Sequence, residues 1–429
     1  MNIPVCNERS TLDLFSPRPP AQPAGYGRVL REVVVRELSG ALFASLPRRD
    51  QRQRGEQYLR GLLGTEGRKS IRNIAAGLGS PAAEQRIHHF ISSSTWDWMP
   101  VRAALAAYVE AAVTPRAWVV RPMPIPKAGK HSVGVDHSFD PHRGREFYGQ
   151  QAFGVWLAAD TLSTPVNWRL LLPDSWADDP ARRDRVEIPG GVGGETPEEC
   201  AAAVLEDILA WSPPARPVVL DMCSAHAAAS VHRFTRAGVP VIARLAANAR
   251  FTVGSTALPG YGMGPLTARR ILESVKGLRR PTAWADPRDP SVLRSGLAAT
   301  VRVTPAKEPG GDRAIGEVVL LGRWRDAHRP PSELWLTNMT AASRGTLVQL
   351  TDLAARVGHA LGGTGAEAGL KDFEGRSFGG WHRHITLASA AHAVAVLAGS
   401  RRESSGHVTG RSAARLPAQD TGPCPPRAA

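Results

Sequence analysis

Four groups of basic side chains are the residues whose type and spacing point most directly to a chemistry. Lys127, Lys130 and His131 fall in one loop segment and Arg182, Arg183 and Arg185 in a second; Arg269, Arg270, Lys276, Arg279 and Arg280 form a third, and Arg376, Arg383 and His384 lie near the last helix. Cations clustered in this way suit the oxygens of a nucleic-acid backbone, where each contact adds salt-dependent affinity without reading sequence. Any single cluster would serve equally as a solvated basic face; four together favour DNA. The segment GRKSIRNIAAGLGSPAAEQRIHHFISS adds two short helices joined by a tight turn, with Ser80 as N-cap and Pro81 at the first position of the second helix. If that helix enters a groove, Gln85, Arg86, His88 and His89 are long and polar enough to reach base edges or phosphates. An ordinary helical hairpin is the alternative.

Other chemistries find little support. His88–His89 and His382/His384 lack further ligands at zinc spacing, and Cys6, Cys200, Cys223 and Cys424 form no CxxC pair. No GxxxxGK[ST] loop, no GxGxxG after a strand and no GxSxG elbow is present, so neither a nucleotide or other small-molecule cofactor nor a serine nucleophile is indicated. Trp156, Trp168, Trp176 and Trp335 sit in or beside strands and read as core.

The elements that must position these residues can be read from pattern. The chain has 429 residues, enough for two to four domains, and a net charge of +14 that favours polyanionic partners. Neither a long apolar run nor a signal-like start appears, so the expectation is a cytoplasmic protein without a membrane span. Residues 1–25 and the basic 399–429 read as disordered, and 26–115 as about five helices recurring at three- and four-residue spacings. From Ala117 the texture becomes β: AWVV, HSVGVDHSFD, YGQQAFGVWLAAD and TPVNWRLLLP read as strands, and helices then alternate with RPVVLD and VPVIARL. The spacing predicts a strand-and-turn insertion over about 245–330, then ELWLTNM, a helix near 345–360 and a last helix near 381–397. This order predicts an α/β fold: an all-helical N-terminal domain, then a mixed sheet over 116–398 interrupted by the β-rich insertion. That is the layout of RNase H-like nuclease domains.

Three stretches sharpen this reading. WVVRPMPIPKAGKHSVGV (118–135) is similar to the run W-V-I-D-D-T-G-F-P-K-K-G-K-H-S-V-G-V of DDE-type insertion-sequence transposases of the IS-seven-oh-one type. NWRLLLPDSWADDPARRDRVEIP (167–189) resembles their R-L-x-L-P-x-x-W-x-x-D-x-x-R-R, and GLKDFEGRSFGGWHRHITLASAAHA (369–393) their G-L-D-H-Y-E-G-R-S-W-x-G-x-H-H-H. The resemblance covers about 35–398. It implies an RNase H-like fold, double-stranded DNA as partner in the form of element ends and target, and a homodimer across two ends. The implied chemistry is DNA cleavage and strand transfer by two Mg2+ ions about 4 Å apart, held by three carboxylates.

The chain departs from the family where those carboxylates belong. Aligned on Trp118, the family's adjacent acids fall on Arg121 and Pro122. The second acid corresponds to the end of the strand RPVVLD, where Asp221 stands one place early and Met222 fills the strict position; an Asp there could equally cap the next helix. Counting back from Gly369 puts Gly358 at the third, a Glu in the family. Glu367 and Glu374 lie downstream, and Asp136 and Asp140 could replace the first acid only with a shifted register. The sequence therefore predicts a transposase-family DNA-binding protein, by descent a nuclease, inactive or impaired and without bound Mg2+. A non-enzymatic domesticated regulator or an inactive relic is the alternative. Asp221 is the one catalytic candidate, and Arg86, Lys127, Lys130, His131, Arg182, Arg183, Arg376, Arg383 and His384 are the candidates for DNA contact.

Overall fold

The apolar runs 118–120 and 218–220 lie side by side as parallel strands, with Trp118 opposite Val218, Val119 opposite Val219 and Val120 opposite Leu220. They form the middle of a twelve-stranded mixed sheet in the computed structural model, which describes residues 26–79, 82–286, 291–306 and 316–411.

The described chain opens with helices α1 (Tyr26–Leu42), α2 (Arg49–Gly64), α3 (Ile71–Ala76), α4 (Ala83–His88) and α5 (Trp98–Ala112). Local chemistry sets several starts. Ser70 accepts a hydrogen bond from the Asn73 amide at the head of α3, and Asp97 one from Met99 at the head of α5. Ser80 and Pro81, expected to begin α4, lie outside the described residues; the residue before α4 is Ala82.

Strands β1 (Ala117–Pro126), β2 (Asp136–Asp140), β3 (Arg145–Ala158) and β4 (Ser163–Leu170) follow. Of the predicted strand HSVGVDHSFD, only the second half is extended. Helices α6 (Asp174–Ala177), α7 (Pro180–Val186) and α8 (Pro197–Leu209) lead to β5 (Val218–Ser224), α9 (Ala227–Arg236) and β6 (Val241–Leu245). Thr196 and Glu199 form a capping box at the start of α8. In space the order is β4, β3, β1, β5, β6, with the first three antiparallel and β1, β5 and β6 parallel, which is the RNase H-like arrangement. The second half of β3 is buried on both faces, which is why it reads as a continuous apolar run instead of alternating.

Beyond β6 come β7 (Arg250–Val253), β8 (Leu266–Thr267), α10 (Ala268–Ser274), β9 (Arg280–Ala285), β10 (Leu293–Pro305), β11 (Val318–Trp324) and β12 (Glu333–Thr337). This β-rich segment does not fold into a sheet of its own. β12 returns to pair antiparallel with β6, β11 pairs with β12 and β10 with β11, so the insertion widens the main sheet.

The described chain closes with α11 (Arg344–Gly362), α12 (Thr364–Glu367) and α13 (Phe378–Arg411). α13 starts before and runs well past the predicted 381–397, into residues expected to be tail. Ile385, Leu387, Ala390, Ala391, Val394 and Leu397 are buried on it, as are neighbours all round its axis, because it runs through the core between α1, α2 and α5 on one side and β4 on the other. One continuous apolar core therefore joins the N-terminal helices to the sheet. No helix among the described residues is long and apolar enough to cross a membrane.

Candidate functional site

β1 and β5 run parallel in the middle of the sheet, and their register, with Val120 opposite Leu220, sets Arg121 beside Asp221. Alternate residues of a strand face opposite sides. Asp221 therefore turns toward Arg121, whereas Met222 joins Pro122 in lining a neighbouring cavity of about 410 Å3. The Asp221 side chain is 1% exposed and holds two cations: Arg121 donates to Oδ2, and Arg244 Nη1 on β6 donates to Oδ1 at 3.2 Å. Paired in this way, the carboxylate is stabilised by charge-assisted hydrogen bonds on both oxygens.

Gly358, on α11, faces the same guanidinium. A β-carbon built on Gly358 would lie 2.9 Å from Arg121 Cζ and 3.0 Å from both Nη atoms, closer than side chains tolerate. The lack of a side chain at 358 leaves the room that Arg121 occupies. The three positions singled out in sequence are thus brought together, and Arg121 fills the space between the other two.

His142 completes the floor. Its Nε2–H donates to the Asp221 carbonyl at 2.9 Å, and its Nδ1 lies 3.5 Å from Arg244 Nη1 as an acceptor. Burial, then the Arg121 and Arg244 charges, push the imidazole down to about 3, so it is neutral at physiological pH. Burial, then the Arg244 cation, push Arg121 down to about 10, which leaves it charged. Asp140 is buried at the turn after β2 and accepts the His142 and Arg143 amides at 3.0 and 3.3 Å, so it closes the β2–β3 hairpin. Lys371, in the loop before α13, lies within electrostatic reach of Arg143, Asp140 and Arg121, and burial, then Arg143, hold its ammonium below the usual lysine range.

This donor set does not fit a pair of divalent cations. Hard cations take carboxylate oxygens, and here only Asp221 of the three expected positions carries one. Among the described residues no group of three or more His, Cys, Asp or Glu side chains could hold a metal ion. Arg244, His142 and Lys371 were not singled out in sequence. A charged residue inside the apolar strand VIARL was the visible signal for Arg244.

The predicted DNA-contact residues divide by exposure. Lys130, His131 and Arg376 are exposed on two loops that the structure ties together, because Val133 N donates to the Arg376 carbonyl at 3.1 Å and Ser132 Oγ to that of Gly375 at 3.3 Å. Lys127 contributes to that tie by donating to the Phe373 carbonyl. Arg86 is exposed on α4 and Arg182 on α7, where Arg182 also lies over Trp176. Arg183 is half-buried and donates to the carbonyls of Ala177, Val192 and Pro189. Arg383 and His384 are interior. Arg383 donates to the Ile91 and Trp96 carbonyls, and His384 bonds Tyr58 and the Gly369 carbonyl, so both lock α13 to neighbouring segments and neither faces solvent.

A family model described as DDE superfamily endonuclease matches residues 41–304. No curated protein matches the chain.

Proposed function

The chain belongs to the DDE superfamily endonucleases, and from that premise we propose that it is a transposase of the IS-seven-oh-one type that still binds DNA but has lost or nearly lost the power to cut it. The observation that carries the reading is the Arg121 guanidinium, paired with Asp221 and resting against Gly358. Two-metal cleavage needs carboxylates around both ions. At this centre a fixed cation occupies the space and a guanidinium neutralises the one remaining acid, so a divalent ion would meet repulsion in place of ligands.

DNA binding is supported separately by charge. Lys130, His131 and Arg376 converge on joined loops, and Arg86 and Arg182 add exposed cations elsewhere. The reading brings with it double-stranded DNA as partner, a homodimer spanning two DNA ends and a cytoplasmic location.

A magnesium-dependent nicking assay on DNA bearing the element's own ends tests it. The expected result is salt-sensitive binding without nicking. Clear nicking abolished by Asp221→Asn would overturn the loss of catalysis, and an absence of binding at low ionic strength would overturn the DNA reading.

A further inference from the structure

The cleft that has lost its acids has gained cations. Arg121, Arg143, Arg244 and Lys371 are set around it against Asp140 and Asp221, so two positive charges are in excess. Asp221 is shared between two arginines, and Arg143 is only 3.9 Å from Asp140 with its side chain 56% exposed. Lys371 is half-buried, and among the described residues its ammonium has no hydrogen-bonding or ion-pair partner. Keeping an ammonium partly out of water beside the Arg143 and Arg121 guanidinium groups, with Asp140 the one acid acting on it, is costly unless more negative charge completes the set.

We propose that this cleft binds a phosphate group directly, through Lys371, Arg143 and the outward edges of Arg121 and Arg244, without a metal ion. A phosphate suits the site because its several oxygens can accept from separate cations at once, and a planar guanidinium matches two of them. The half-buried setting strengthens the attraction relative to the same charges on an open surface. The occupant is a phosphodiester of bound DNA, held against the outward side of Arg121 and not in the space that Arg121 itself fills. This occupant rests on the DNA-binding reading; the anion site itself does not.

The test uses the full chain, a short labelled duplex and a salt series, with Lys371→Gln and Arg143→Gln as variants. Among the described residues Lys371 has no hydrogen bond or ion pair to lose, and Arg143 is largely exposed, so both substitutions should preserve the fold. Each should lower the slope of log Kd against log salt by about one, and EDTA should leave binding unchanged. A parallel measurement follows the melting temperature with inorganic phosphate as the probe, which should raise it in the wild type and not in Lys371→Gln. Equal slopes in wild type and variants, with DNA binding intact, would overturn the site while leaving the DNA reading standing. Wild-type protein that ignores DNA but is stabilised by phosphate, an effect lost in Lys371→Gln, would keep the anion site and assign it free phosphate, and the DNA reading would fail. Binding that requires Mg2+ and disappears with EDTA would overturn a metal-free grip.

Discussion

Arg102 and Arg121 both carry a guanidinium out of water, yet one is surrounded by neutral acceptors and the other by charge. Arg102, on α5, donates to Thr386 Oγ1 at 2.7 Å, Asn167 Oδ1 at 3.0 Å, the Trp168 carbonyl at 2.7 Å and the ring nitrogen and carbonyl of His382 at 3.1 and 3.2 Å. Those partners belong to β4 and α13, so one side chain joins the N-terminal helices, the sheet and the last helix. Its donors are spent inside the protein. Arg121 instead shares a carboxylate with Arg244 and stands near Lys371, which among the described residues makes no hydrogen bond or ion pair. A structural lock saturates its own hydrogen bonds; the cleft leaves capacity over, and that surplus is what marks it as a place where something else binds.

The largest expected effect tests the lock. Arg102→Ala removes the donors of several buried acceptors at once, and each unsatisfied group costs about 1–3 kcal/mol, so a loss on the order of 3–5 kcal/mol is expected. Urea denaturation would read it as a lower midpoint. A change under about 1 kcal/mol would mean that water replaces the guanidinium and that the saturated donors of Arg102 do not hold the layers together.

Asp221→Asn should come next. It leaves Arg121 buried without its counter-charge, at a cost of about 2–3 kcal/mol, less than for a fully buried pair because Arg244 can turn toward solvent. The same variant in the wild-type pH range should not restore or create a response to Mg2+. A thermal shift with Mg2+ that is present in wild type and lost on Asp221→Asn would show that the carboxylate holds metal and that the charge contrast between the two regions has been misread.

A smaller effect separates the regions by pH. His142 lines the cleft and His384 the locked interior, and burial holds them down to about 3 and about 4 against an ordinary 6.5. A histidine depressed in the folded state contributes stability that is present above its unfolded value and lost as pH falls through the folded one. Stability should therefore decline below about pH 6.5, and each histidine contributes at most about 1.4 kcal/mol per pH unit. Asp352 acts in the opposite sense: burial raises it to about 6, so its share is present at low pH and is lost as pH rises through that value. The comparison is thus made between variants. His142→Gln should flatten the acid limb of wild type by about one proton, measured as the midpoint of urea unfolding between pH 6.5 and 4.5. An unchanged limb would place His142 in water rather than in the cleft.

The centre was more legible in sequence than the scaffold around it. Arg121, Asp221 and Gly358 were aligned from separate motifs, and they meet because each motif carries enough fixed residues to set its register. The strand cores were legible too, since β-branched runs such as VVL at 218–220 admit little else. What sequence could not supply was long-range pairing. The insertion read as a β-rich interruption of the sheet with its pairing undefined, because nothing local says that β12 will hydrogen-bond β6 and carry β11 and β10 into the same sheet. Arg383 and His384 read as surface cations because charge is visible in sequence and burial is not. Their partners, the Ile91 carbonyl and Tyr58, lie hundreds of residues away. Lys371 was missed for the converse reason: that it makes no hydrogen bond or ion pair among the described residues is visible only in the fold.

The smallest effect bears most directly on how Arg121 came to fill the cleft. Gly358 lies inside α11, where glycine costs about 0.8–1 kcal/mol relative to alanine, so on helix propensity alone Gly358→Ala should stabilise. In the wild type the new methyl would meet the Arg121 guanidinium at 2.9 Å, and that group is tied to Asp221 and cannot retreat without weakening the ion pair. The expected gain is therefore cancelled or reversed. In an Arg121→Ala background the obstacle is gone, and the same substitution should recover its full stabilisation of about 0.8–1 kcal/mol. A double-mutant cycle in urea should then give a coupling of about 0.5–1 kcal/mol between positions 121 and 358, as for residues in contact. Equal effects of Gly358→Ala in both backgrounds would show that the guanidinium does not rest on α11, and that the missing side chain at 358 and the arginine at 121 are unrelated.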